Sequence, residues 1–258
     1  MRHRLDARAQ QWVREVWTFE SIASTSDVLK DAARQGAPEG VVALAHVQTA
    51  GRGRHGRTWV SRQGNLFLSI LLRPRDPALL SLLPLAAGVA VVEALGAGGV
   101  PARLKWPNDV LVSDRKLAGI LAEAVTGAGE VESVIVGIGA NVNLRRAEVP
   151  DDLRDSVTSL YEETAREHDV EALAAAVLVR WTAWYDALRA DRSRVREAWR
   201  ARAVDWWGRP VEMITGGQRL VGVPRDIDDT GALVLEMADG SRVCVVSGEA
   251  REIRPTSS

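Results

Sequence analysis

Four short segments hold residue types that can act on an anionic ligand: SIASTSD at 21–27, QTAGRGRHGRTW at 48–59, KWPNDV at 105–110 with KLAGILAE at 116–123, and VGIGANVN at 136–143. In the second, Gly51, Gly53 and Gly56 free the backbone to present N–H groups in a concave nest. Arg52, Arg54 and Arg57 can aim guanidinium forks at carboxylate or phosphate oxygens. The loop has neither the G-x-x-x-x-G-K-[ST] pattern of a P-loop nor the glycine spacing of a dinucleotide-binding turn. By composition alone it also fits an exposed linker or a nucleic-acid arm. KWPNDV likewise fits an ordinary strand-turn-strand corner in which Asp109 caps the turn.

The elements around these segments must position them. Ser, Thr and Asp open residues 24–35, Val28, Leu29, Ala32 and Ala33 follow at helical spacing, and Gly36 closes the run, which predicts a capped helix. Residues 41–47 and 66–72 read as strands on either side of the basic loop. Residues 77–96 are apolar on most faces and predict one helix covered by the core. A hairpin is expected over 103–124, turning at Ser113-Asp114-Arg115, and 131–142 predicts a central strand whose Gly137 and Gly139 signal close approach by a backbone or ligand. Residues 170–203 carry one helical stripe of Leu173, Val177, Leu178, Trp181, Trp184 and Leu188, read as packing rather than as a binding platform. After Gly208-Arg209-Pro210 come short strands at 211–215, 220–227, 232–237 and 242–246, with a boundary near Trp207.

Bulk composition narrows the class. A chain of 258 residues can bury a core without staples. Its 33 Lys+Arg against 34 Asp+Glu leave a net charge of −1, which provides no global attraction to nucleic acid or an anionic membrane. The first residues, MRHRLDARAQQWVREVW, lack the apolar core of a signal peptide, and no membrane span is expected, so the expected location is the cytoplasm. The single cysteine, Cys244, is read as a buried small apolar residue, and the four histidines show no metal-ligand spacing.

GRGRHGRTW, KWPNDV, KLAGIL with its following Glu, and GIGANVN, in this order, resemble the catalytic domain of biotin–protein ligases, from about Phe19 to the C-terminal strands. The resemblance implies an α+β fold: a mixed-sheet, class II synthetase-like catalytic domain at 19–207, after an N-terminal extension at 1–18, followed by a small SH3-like β-barrel at 208–258. It implies activation of biotin by ATP as biotinyl-5′-AMP, with Mg²⁺, and transfer to a lysine of a biotin carrier protein.

The site residues follow from the same resemblance. Ser24, Thr25 and Ser26 match the start of the biotin pocket, which in the family usually reads Ser-Thr-Asn, so Ser26 departs from it. Gln48, Gly51, Arg52, Gly53, Arg54, Lys116 and Gly119 complete the biotin contacts. Arg54, Trp59, Lys105, Asn108, Lys116 and Asn141 are expected at ATP, and Asp109 at magnesium. Lys116, Arg52 and Arg54 are the expected catalytic cations. With little chain before Phe19, no winged helix and no sequence-specific DNA binding are expected, while pairing of two copies is left open. Two rival readings remain: a lipoate–protein ligase, which holds its ligand in an apolar slot, and a nucleic-acid-binding module built on GRGRHGR.

Overall fold

The computed structural model describes residues 1–252. A 3₁₀ turn at Arg2–Arg4 precedes helix α1 (Ala7–Trp12), strand β1 (Glu15–Ile22), helix α2 (Thr25–Arg34), β2 (Val41–Gln48) and β3 (Leu66–Leu72). A 3₁₀ stretch at Pro77–Leu82 leads into α3 (Leu83–Ala97), then β4 (Arg103–Lys105), β5 (Asp109–Val112), β6 (Arg115–Gly127) and β7 (Glu130–Ala140). Helices α4 (Leu160–Thr164), α5 (Val170–Ala190) and α6 (Arg192–Ala201) follow. The chain continues through β8 (Val211–Thr215), β9 (Gln218–Ile227), β10 (Leu233–Glu236), β11 (Arg242–Val245) and β12 (Glu249–Glu252).

Strands β1 to β7 form one mixed sheet in the order β1-β2-β3-β7-β6-β5-β4. Only β1 and β2 pair in parallel, across the crossover helix α2; the other neighbours are antiparallel. β7 is central, as its β-branched run implies. Side chains alternate across a strand, so parity assigns each residue a face. Leu66, Leu68, Ile70 and Leu72, with Val136, Ile138 and Ala140, bury against α3 and the helices behind it. Leu71 and Ile135 point to the opposite face and pack with Leu29 and Ala33 of α2. Phe67, Ser69, Gly137 and Gly139 share that second face, and there the cavity opens.

Several sequence expectations change. Pro77–Ala97 is apolar enough and long enough to cross a membrane, yet 67% of its most apolar window is buried inside the protein. It is also not one helix: Pro84, within the first two positions of α3, has no N–H to continue the preceding turns. The stripe over 170–203 is likewise two helices, because Asp191 adopts an extended backbone and its side chain accepts from Ser193 N–H to start α6. Trp181 and Tyr185 on α5 stack with centroids 5.3 Å apart, so the tryptophan stripe is packing. Residues 1–18 are more than an extension: Leu5, Ala9 and Val13 are buried, and β1 opens the sheet at Glu15. Cys244 is exposed, because on β11 it is Val245 that turns inward.

The C-terminal strands do not close into the expected SH3-like barrel. They form an open antiparallel sheet in the order β11-β10-β9-β8-β12, with four-residue strands at both edges. Closure requires the edge strands to share a ladder. Here the link between them bonds elsewhere: Ser247 O accepts from Thr215 Oγ1, and Ser247 Oγ and Gly248 O accept from Arg54. Residues 253–258 of the expected barrel lie outside the described residues. The small sheet is docked on the large one through Trp106 Nε1–H, which donates to Gly231 O at 3.1 Å.

Trp181→Ala, which removes a fully buried ring stacked on Tyr185, is expected to cost about 3–5 kcal/mol. Urea unfolding with an unchanged m value checks it.

Candidate active site

The cavity lies on the α2 face of the large sheet and encloses about 400 Å³. At one end its groups are neutral and polar. α2 begins at Ser24, whose hydroxyl makes no capping bond and is left for the cavity. Thr25 is instead tied to β2: its N–H and hydroxyl both donate to Gln48 Oε1, at 2.8 and 3.0 Å. A backbone N–H needs an acceptor, so this contact fixes the Gln48 amide and leaves Nε2–H₂ as donor. Ser69 Oγ, from β3, lies 2.8 Å from Thr25 Oγ1 and 3.0 Å from Ser26 Oγ.

The middle of the cavity is a trough of missing side chains. Gly119 and Gly139 are cross-strand partners on β6 and β7, and the indole of Trp59 lies against both. A Cβ at Gly139 would stand 2.8–3.1 Å from that ring, and one at Gly119 would be 3.0 Å from it. The sequence signal at Gly139 was therefore close approach by a side chain. Trp59 Nε1–H is buried there without a hydrogen-bond partner. Gly137 provides the same clearance for Ser26, whose Oγ would be 2.9 Å from an added Cβ.

Residues 51–59 arch over the trough as a narrow hairpin. Gly53 N–H donates to Arg57 O and Trp59 N–H to Gly51 O, so these glycines do not form the open anion nest expected from composition. The tip turns through His55 and Gly56, both at positive φ. Arg52 makes two bonds to the Asp27 carboxylate, at 2.6 and 2.5 Å, and that guanidinium holds Asp27 below the ordinary aspartate pKa. Across the arch, Arg54 donates to Ser247 Oγ (2.8 Å), Gly248 O (3.3 Å) and Asn108 Oδ1 (3.2 Å), and Arg57 to Glu249 (2.7 Å). The hairpin is thus held by α2 on one side and by the C-terminal sheet on the other.

The far end is cationic. β5 and β6 turn through Ser113 and Asp114, both at positive φ as a two-residue hairpin turn requires. This brings Asp109 opposite Gly119 and sets Lys116 Nζ 2.6 Å from Asp109 Oδ1, an ion contact outside hydrogen-bond geometry. Lys116 Nζ also stands 5.4 Å from the Trp59 ring centre. Lys105 reaches the same space from β4 and has no ion-pair partner among the described residues; burial pushes its pKa below the ordinary 10.5. Asn108 Nδ2 donates to Ile120 O and Asn141 Nδ2 to Thr158 O, bonds that hold the turn and the end of β7.

Every residue expected at the site lines the cavity except Gly51, where an added Cβ would stand 2.5 Å from Ser61 Oγ and 3.2 Å from Gln48 Nε2. Sequence reasoning missed Asp27, Ser69, Glu123, Gly248 and Glu249 as lining residues. Parity with Phe67 was the available signal for Ser69; nothing in the sequence placed 248–249 beside residue 54. Among the described residues no group of three His, Cys, Asp or Glu side chains can hold a metal ion, and Asp109 is engaged by Lys116.

Residues 18–141 match the model of the Biotin/lipoate A/B protein ligase family, and 207–250 that of the biotin protein ligase C terminal domain. The chain is 36% identical to the bifunctional ligase/repressor BirA of Bacillus spizizenii over 223 residues, covering 85% of this chain and 68% of that protein. It is 35% identical to the biotin–[acetyl-CoA-carboxylase] ligase of Mycobacterium tuberculosis over 239 residues, 90% of this chain and 86% of the other. The solved structure of the Aquifex aeolicus biotin protein ligase in complex with biotin and ATP superposes with a TM-score of 0.78 at 30% identity, covering 92% of this chain and 98% of that one.

Because the hairpin is held at its C-terminal side by Arg57 and Glu249, Glu249→Gln is expected to speed tryptic cleavage within 52–57. An exposed ion pair is worth up to about 1 kcal/mol, which sets the gain at roughly fivefold or less. Timed proteolysis of the folded protein measures it.

Proposed function

Because the chain belongs to the Biotin/lipoate A/B protein ligase family, we propose how its cavity works: as a biotin–protein ligase it binds biotin and ATP, forms biotinyl-5′-AMP with release of pyrophosphate, and passes the biotinyl group to a lysine of a carrier protein. One observation carries the assignment of residues: the cavity is neutral and hydrogen-bonding at one end, cationic at the other, and floored by glycine between them.

A cyclic urea carries two N–H donors and one carbonyl, and burying it is costly unless all are met. Ser24, Thr25, Ser26 and Gln48 offer hydroxyl and amide partners for that head, and the Gly119–Gly139 floor with Trp59 takes the ring and chain. The carboxylate then reaches Lys116, Arg52 and Arg54, while Lys105, Asn108, Asn141 and Trp59 border the nucleotide. A carboxylate oxygen attacks the α-phosphorus, the bond from that phosphorus to pyrophosphate breaks, and Lys116 holds both the attacking oxygen and the α-phosphate as charge shifts between them. In the second step the neutral amine of the acceptor lysine attacks the acyl carbon and AMP leaves. The hairpin over the trough keeps water from the mixed anhydride.

Asp109 is the one carboxylate we assign to magnesium; if bound there, the ion would supply positive charge against the departing pyrophosphate. We assign 19–207 to the chemistry, the described part of 208–258 to support of the hairpin, and the cytoplasm as location. A lipoate ligase calls for an apolar slot, which the hydroxyl-lined end opposes. A nucleic-acid module calls for free arginines, whereas Arg52 and Arg57 are paired and Arg54 is turned inward.

Incubating the protein with biotin, ATP and a biotin carrier domain is expected to add one biotinyl group to the carrier by mass spectrometry, and lipoate is expected to add none; the reverse pattern contradicts the assignment. Lys116→Ala is expected to lower the single-turnover adenylation rate by about 100- to 1000-fold, the scale of one lost electrostatic donor.

The Lys105 shift gives a pH dependence. Its ammonium is disfavoured in the free protein by burial, and a phosphate beside it favours the charged form. ATP binding therefore takes up a proton above the free-state pKa, and ATP affinity falls as pH rises through that value. Lys105→Arg, which does not titrate in this range, is expected to flatten the profile in calorimetric titrations.

A further inference from the structure

The neutral end of the cavity has a direction. Thr25 has one hydroxyl proton, and it goes to Gln48 Oε1. Towards Ser69, 2.8 Å away, Thr25 Oγ1 can then only accept, so Ser69 is the donor. Having spent its proton there, Ser69 accepts from Ser26 Oγ at 3.0 Å. The chain Ser26 → Ser69 → Thr25 → Gln48 therefore runs one way, started by the backbone N–H of Thr25 that pins the Gln48 amide. All three hydroxyl residues are buried, Ser69 completely. Gly137, opposite Ser69 in the β3–β7 ladder, leaves the room that Ser26 occupies.

We propose that Ser69 is a positioning residue for recognition of the ureido head: it takes the Ser26 proton and so presents Ser26 as a pure acceptor, while Gln48 Nε2 at the other end remains a pure donor. A cyclic urea demands that pairing, acceptors for its N–H groups and a donor for its carbonyl. A serine hydroxyl can donate or accept until a neighbour fixes its proton, and Ser69 fixes that of Ser26. This rests on the biotin assignment of the cavity.

The test is a double-mutant cycle on biotin affinity, measured by calorimetry on the full chain: unmodified, Ser26→Ala, Ser69→Ala, and the pair. Ser69→Ala is expected to raise Kd by about fivefold to tenfold, one hydrogen bond's worth, with the loss in KM for biotin rather than in the adenylation rate at saturation. Acting through Ser26, it is expected to cost nothing further once Ser26 is alanine, so the pair stays near the weaker single variant. Losses that multiply, or an unchanged Kd for Ser69→Ala, overturn the relay while leaving the ligase assignment standing. Absence of biotin binding by the unmodified chain overturns both. Should Ser69→Ala not fold, the same cycle with Ser69→Cys, a weaker donor, decides between the same outcomes.

Discussion

A carboxylate and a triphosphate repel, and at about 4 Å in a medium of intermediate dielectric that repulsion amounts to several kcal/mol. The cavity has to supply positive charge without leaving it bare when empty. Arg52 rests on Asp27, Arg57 on Glu249 and Lys116 on Asp109, while Arg54 is bonded to neutral groups of the C-terminal sheet. Lys105 alone of these cations has no anionic or hydrogen-bonding partner among the described residues, and its lowered pKa records the cost of that burial. The cations are thus fixed in place by partners inside the protein, so that positive charge is already positioned where the two anions meet, which is electrostatic preorganisation.

That charge is useful only because the sheet leaves space beside it. Parity on β3, β6 and β7 sends one set of large side chains to the face covered by α3 and leaves Ser69, Gly119, Gly137 and Gly139 among the residues of the other. Helix α2 covers part of this second face with Leu29 and Ala33, and its N-terminal residues bring hydroxyls to the edge of the trough. The same strands therefore serve as core on one side and ligand floor on the other, and the rigid core fixes the floor.

Much of this was legible in the sequence because it is local. The end of α2 before Gly36, the two-residue turn at Ser113-Asp114 and the long central β7 each follow from a few adjacent residue types, whereas the expected Ser24 cap makes no capping bond. The four motifs named a family, and all but Gly51 of the residues taken from them line one cavity. What was illegible depends on tertiary geometry. Ser69 reads as an ordinary strand serine until its face is known. The contact of Arg54 with Ser247 joins residues 193 apart. The barrel failed for the same reason: strand lengths and turns imply a small β unit, but whether its edges meet depends on where the link between β11 and β12 finds its partners, and Ser247 and Gly248 find them on Thr215 and on Arg54 of the basic hairpin.

The claim beneath all of this is that one cavity joins biotin's carboxylate to the α-phosphorus of ATP. Exchange of labelled pyrophosphate into ATP by the purified chain, with no carrier protein present, reads that step alone. The account expects exchange that requires biotin and is not supported by lipoate. Exchange independent of biotin, or none at saturating biotin and ATP, contradicts it.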